Sequence, residues 1–220
     1  PSLRPSIIPT SDNWHFPTML RIITQQTESL QELQRIGSRT QDDAIVHKEA
    51  TVSEIVQTVR RQGDKALLHY TAEFDRQTLT VDRLRVSGAE LDAAYQQVSK
   101  ELLKAIELAA HNIEAFHRQR VPKSWVTFGE DDIVLGKRYH PVERAGIYVP
   151  GGRACYPSTV LMNAIPAKVA GVPQIAMVTP PGAVKNLNPA VLVAAQVAGV
   201  EEIYRVGGAQ SIAALAYGTD

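Results

Sequence analysis

The stretch AGIYVPGGRACYPSTVLMNAIPAKVAGVPQIAMVTPPG, residues 145–182, decides the fold together with NPAVLVAAQVAGVEEIYRVGGAQSIAALAYGTD, residues 188–220. Apolar strand-like runs centre on Ile147, Ile175 and Ile203, a constant step of 28 residues. The tripeptide Ala-Gly-Val recurs at the same step, at Ala170-Gly171-Val172 and Ala198-Gly199-Val200. Each run ends in turn-forming residues: Pro150-Gly151-Gly152, Pro180-Pro181-Gly182 and Gly207-Gly208. A segment of helical character follows each turn. Strand, tight turn and helix in regular succession predict βαβ units on a parallel sheet, an incomplete Rossmann-like α/β region over residues 144–220.

That arrangement says where a ligand belongs. Right-handed crossovers bring the C-terminal ends of the strands to one edge, beside the N-termini of the following helices. Those N-termini offer unpaired N–H groups and partial positive charge, and Gly151, Gly152, Gly207 and Gly208 let a ligand approach the backbone. A nucleotide suits such an edge, although the G-x-G-x-x-G fingerprint of the ordinary first Rossmann turn is absent. Tyr148 lies two residues before the Pro150-Gly151-Gly152 turn, where it either meets a ligand or packs on the sheet. Gln210 falls in the first turn of the helix predicted over Ala209–Tyr217, where its amide either bonds a ribose or phosphate or serves as a cap.

Ahead of this region the chain is helical. Prolines crowd the first seventeen residues and predict an extended arm, anchored by Trp14 and Phe16 or disordered. A helix is expected from Thr18 to Ile36, with Gly37 as its stop. Thr51 and Glu54 read as a capping box before Val52, Ile55, Val56 and Val59. Asp64 reads as the N-cap of a second helix. Ser87 and Glu90 form another capping box, and Leu102, Ile106, Ala109, Ile113 and Phe116 make one apolar seam. Trp125–Phe128 and Ile133–Tyr139 read as two strands joined by an acidic turn. The expected organisation is an arm and helix over 1–47, a helical region ending in a β-hairpin over 48–143, and the βα repeats from 144 onward. Within the repeats, Ser158 and Asn188 are N-cap candidates, and Pro166 should kink or split its helix.

Lys+Arg and Asp+Glu number 23 each among 220 residues, so net charge supplies no attraction to nucleic acid or to a membrane surface. No apolar run reaches the roughly 18 residues of a membrane-spanning helix, and the first residues lack the apolar core of a signal peptide. A single cysteine, Cys155, excludes an internal disulfide and fits a reducing cytoplasm. The composition is that of a soluble intracellular α/β protein.

Few residues carry chemistry by themselves. His111 and His117 are six apart, which puts them on different faces of one helix, and Glu114 between them pairs with one or the other as an ordinary surface contact. No metal site is predicted from them. His140 is a loop residue beside Pro141. Cys155 follows the glycine pair, where it is either a nucleophile or a small buried apolar residue.

RAGIYVPGGRACYPSTVLMNAIPAKVAGV (144–172) with VGGAQSIAALAYGT (206–219) resembles the histidinol dehydrogenase family, and GDKALLHYTAEFD (63–75) is similar to its N-terminal helices. The resemblance runs from about Lys48 onward. It implies an enzyme that oxidises L-histidinol to L-histidine through an aldehyde, with two NAD⁺ and a zinc ion, as the last step of histidine biosynthesis. By motif, the family's NAD-contacting tyrosine and glutamine correspond to Tyr148 and Gln210. Its Gly-Pro-Gly-Asn motif, its Glu-His base pair and its zinc ligands fall beyond the point matching Asp220. The chain is therefore expected to represent the N-terminal half, to supply part of an NAD platform, and to lack catalytic residues and metal ligands of its own. The family is homodimeric, chiefly through its C-terminal region. Two other readings are a non-catalytic nucleotide-binding or regulatory module, and an aldehyde-dehydrogenase-like enzyme with Cys155 as nucleophile.

Overall fold

In the computed structural model, residues 23–38, 43–151, 156–181 and 186–219 are described. The arm with Trp14 and Phe16, the segment 152–155 with Cys155 and Gly152, and the segment 182–185 with Gly182 lie outside the described residues. The chain divides into two compact units, Pro1–Lys48 and Glu49–Asp220. In the first, α1 (Gln26–Gly37) buries none of its residues. It starts later than Thr18: residues 23–25 precede it without helical structure, and the β-branched Ile23 and Thr24 resist a helix start.

α2 (Asp43–Gln62) runs straight through Thr51, so the Thr51/Glu54 pattern is helix interior rather than a start. Lys48, Glu49 and Ala50 are good helix formers and carry the helix across it. Gly63 ends α2 and, at φ 53°, also caps α3 (Asp64–Phe74), so Asp64 is the first helical residue and not the cap. A short α4 (Val81–Leu84) follows, unforeseen in the sequence. α5 (Gly88–Gln97) opens on the expected capping box, with Ser87 and Glu90 each accepting from the other's backbone N–H. α6 (Lys100–Arg118) buries Ile106 and Ala110. Ile106, Ala109 and Ile113 of the expected seam pack on the main core, whereas its two ends, Leu102 and Phe116, are exposed.

β1 (Trp125–Phe128) and β2 (Val134–Lys137) form the expected antiparallel hairpin. Asp131 and Asp132 take positive φ in its turn. The repeat then gives β3 (Arg144–Tyr148), α7 (Pro157–Val169), β4 (Gln174–Val178), α8 (Pro189–Val197), β5 (Glu202–Tyr204) and α9 (Gly208–Tyr217). The strands are parallel in the order β3-β4-β5, with Ile147 opposite Met177 and Met177 opposite Ile203.

Two cap assignments part ways here. Asn188 caps α8, its side chain accepting from the Ala190 N–H at 2.9 Å. Ser158 does not cap α7: Tyr156 holds that position without a side-chain bond, and Pro157 is the first helical residue. Pro166 neither splits nor ends α7. It sits in the last turn, where the one lost bond frees the carbonyl of Met162, itself an exposed residue.

Successive residues of a strand face opposite sides of the sheet. Ile147, Ile175, Met177 and Ile203 bury one face in the main core against side chains of α5, α6, α7 and α8. Val178 and Tyr204 bury the other against Leu67 of α3 and Leu215 of α9. The segment after α4 closes the β5 edge: Arg205 N–H donates to Leu84 O and Val86 N–H to Ile203 O, both near 2.9 Å.

Candidate functional site

The helices that follow β3 and β4 pack on one face of the sheet, and the helix that follows β5 packs on the other. A change of face accompanies the reversal of strand order in doubly wound sheets, and ligands bind at the strand C-termini beside it. α9 approaches β3 closely: a Cβ on Gly146 would stand 2.9 Å from a Leu215 methyl group. Tyr148 shares that face, two residues and about 6.6 Å further along the strand. Gln210 lies five residues back along α9 from Leu215, about 7.5 Å of helix rise. Both sequence-predicted residues thus stand on elements of that side of the sheet, with Gln210 turned about 140° around α9 from Leu215. Tyr148, at 36% exposure, ends β3 beside Val178.

Three turns meet at this edge with no room between them. A Cβ on Gly151 would come within 2.3 Å of the Pro180 carbonyl oxygen, and one on Gly207 within 2.6 Å of the Pro180 Cβ. Gly208, at φ 64°, opens α9 with the Gln210 side chain folded back over it, Oε1 being 2.4 Å from where its Cβ would stand. Gly151 and Gly207 have no space for a side chain against Pro180, and Gly208 is held to glycine by its positive φ.

Gln210 is fully buried, at 0% exposure. Neither its amide nitrogen nor its amide oxygen has a hydrogen-bond partner among the described residues. It is therefore neither a solvent-facing residue nor a cap, the two ordinary uses of glutamine in a first helical turn. A buried amide left unbonded costs about 1–3 kcal/mol, and such groups in folded proteins mark missing partners.

One residue of this edge escaped the sequence reading. Asp75, which caps the C-terminal end of α3, reaches the turn after β5: its Oδ1 would stand 3.4 Å from a Gly207 Cβ. Burial pushes its carboxyl above the usual carboxylate range, and the Gly207 N–H against it offsets part of that. No local pattern marks Asp75, because its partner lies far along the chain. Arg76, next to it, takes a positive φ of 53° that only the folded loop requires.

The other candidates lie elsewhere. Glu114 pairs with Arg118, the Arg118 Nε–H donating at 3.1 Å, and with neither histidine. His117 and His140, with Arg120 and Tyr139, line a cavity of about 300 Å³ beside the last turn of α7. Basic groups there complement a helix C-terminus and stand away from the strand ends. Among the described residues no three His, Cys, Asp or Glu side chains come together as a metal site. No described helix is long and apolar enough to cross a membrane.

Element order and sheet together define an α/β protein with an open, parallel three-stranded sheet, the class whose ligands bind at the strand C-termini. The histidinol dehydrogenase family model matches residues 38–220. The chain belongs to that family. It is 75% identical over 202 residues to histidinol dehydrogenase 2 of Trichormus variabilis, covering 92% of this chain and 47% of that protein. To the histidinol dehydrogenase of Rhizobium meliloti it is 53% identical over 171 residues, 78% of this chain and 39% of the relative. A crystal structure of histidinol dehydrogenase from Elizabethkingia anophelis superposes with a TM-score of 0.73 at 40% identity, over 78% of this chain and 39% of that one. The chain thus spans about half the length of the relatives it matches.

Proposed function

We propose that this chain supplies part of the NAD platform of a cytoplasmic, zinc-requiring dehydrogenase that oxidises L-histidinol to L-histidine. Its relatives bear the name of that enzyme, and the oxidation of an alcohol needs a hydride acceptor, which the nicotinamide of NAD⁺ supplies. The observation that carries the reading is Gln210: a fully buried amide with two unbonded polar atoms, folded over the glycine that opens α9. Its roles are to hold a ribose or phosphate oxygen with the amide N–H groups and to orient the nucleotide against the glycine turns. Tyr148, on the same face at the end of β3, lends a ring edge and a hydroxyl to the same ligand.

Zinc stands differently. The described residues hold no donor set for it, so no step of the chemistry is assigned to zinc on this chain. The glycine turns and the orphaned amide fit a nucleotide and give this half a binding task.

Isothermal titration of the chain with NAD⁺ tests the reading. Saturable binding is expected, weakened about tenfold, or 1.4 kcal/mol, by either Gln210→Ala or Tyr148→Ala. Absence of binding in the unaltered chain, or unchanged affinity in both variants, overturns it.

A further inference from the structure

The turn after β5 gathers a second unsatisfied group. The Asp75 carboxylate meets the Gly207 N–H, yet its other oxygen, Oδ2, is buried without a partner among the described residues. Gln210 leaves its whole amide unbonded by any described residue, over Gly208. The two glycines are consecutive, their Cα atoms about 3.8 Å apart. An orphaned acceptor from the α3 loop and an orphaned donor-acceptor from α9 therefore flank one turn at the ligand edge. The Gly207 N–H accounts for one oxygen of Asp75 and leaves the burial of the other unexplained.

The chemistry of the pair selects its ligand. A carboxylate accepts hydrogen bonds and donates none; an amide does both. A phosphate brings negative charge against the carboxylate and no hydrogen to share. A vicinal diol brings two O–H donors and two acceptors, which complements a carboxylate beside an amide. An acidic side chain bonding a ribose 2′-hydroxyl at the strand edge is also the usual device by which open α/β sheets accept NAD and reject its 2′-phosphorylated form.

We infer that Asp75 Oδ2 accepts a hydrogen bond from the adenosine ribose of the bound nucleotide, and that Asp75 thereby excludes a 2′-phosphate from this edge. The assignment rests on the nucleotide reading given above. It makes Asp75 a specificity-determining residue, held by Gly207 through one oxygen, while the other, sealed in the empty chain, becomes the ribose acceptor when the nucleotide binds.

Titrating NAD⁺ and NADP⁺ into the chain, and into Asp75→Asn and Asp75→Ser, reads the assignment as a ratio. The unaltered chain should favour NAD⁺ by at least tenfold, and both variants should bring the two affinities within about threefold of each other. Gln210→Ala should weaken both ligands without closing the gap. A purely structural role for Asp75 would lower both affinities together and leave the ratio in place; that result, or an unaltered chain without preference, overturns the inference alone. If the unaltered chain binds neither nucleotide, the nucleotide reading fails and takes this assignment with it.

Discussion

Gln210 and Asp75 place polar atoms in the interior where no described residue meets them. Stability alone would select against both, since an unbonded buried amide costs about 1–3 kcal/mol. Gln210→Met keeps the length and removes both polar atoms. The empty chain should therefore gain stability, with a Tm rise on the order of 5 °C for a chain of this size, while NAD⁺ binding falls. Differential scanning calorimetry of the two empty proteins measures this. A lower Tm in the variant would show that the amide stabilises the empty fold. Asp75 follows the same logic through protonation. Its pKa is raised by burial, so its ionisation opposes folding as pH rises through the carboxylate range. The opposition of stability and binding at one residue is the mark of a site side chain.

At the scale of elements, the capping box of α5 does more than start a helix. Glu90 accepts from Ser87 at the cap and also from Arg205, whose Nη2 reaches both carboxylate oxygens at 2.7–2.8 Å. Burial raises the Glu90 pKa, but the bonds from Arg205 and Ser87 outweigh it and bring it from 4.5 to about 2. A depressed carboxylate stabilises the fold above its unfolded pKa, and the contribution drains away as pH falls from 4.5 towards 2. Glu90→Gln should lower stability at pH 7 by roughly 1–2 kcal/mol, short of the 3–5 of a fully buried pair, because the Glu90 side chain is 43% exposed. It should also flatten the loss of stability between those two pH values. Urea unfolding at pH 7, 4 and 3 checks both, and parallel curves for the two proteins would refute the assignment. The cap itself was legible, as were Asn188, the three parallel strands and the hairpin, because each is written in contiguous residues. What could not be read was set by partners far along the chain or by neighbouring helix formers: the run of α2 through Thr51, the exposed ends of the α6 seam, the tolerance of Pro166, and the reach of Asp75 to Gly207. Tyr148 and Gln210 were singled out from their place relative to the turns and from the family motifs that contain them. That Gln210 is buried and unbonded was visible only after folding.

At the scale of the molecule, the hairpin is where burial is least complete. Every residue of β1 and β2 is exposed, and the pair forms a sheet of two strands with no third beside it. Two-stranded hairpins are marginal in water unless a face is covered. Phe128 is 80% exposed, and Trp125, Val126, Val134 and Leu135 are all more than half exposed. Contiguous apolar surface on exposed strands is prone to edge-to-edge and face-to-face association. The chain should therefore self-associate with rising concentration, and a charge on the most exposed ring should suppress it. Phe128→Lys removes an apolar side chain that buries little, so its effect on stability should stay within about 0.5 kcal/mol. Sedimentation velocity over a concentration series, with thermal unfolding alongside, separates the two effects. A falling association with unchanged Tm supports a hairpin whose apolar residues serve contact rather than the core of this unit. Equal association in the two proteins, or a Tm loss of several degrees, would mean that Phe128 helps hold the hairpin together and that the sticky surface lies elsewhere.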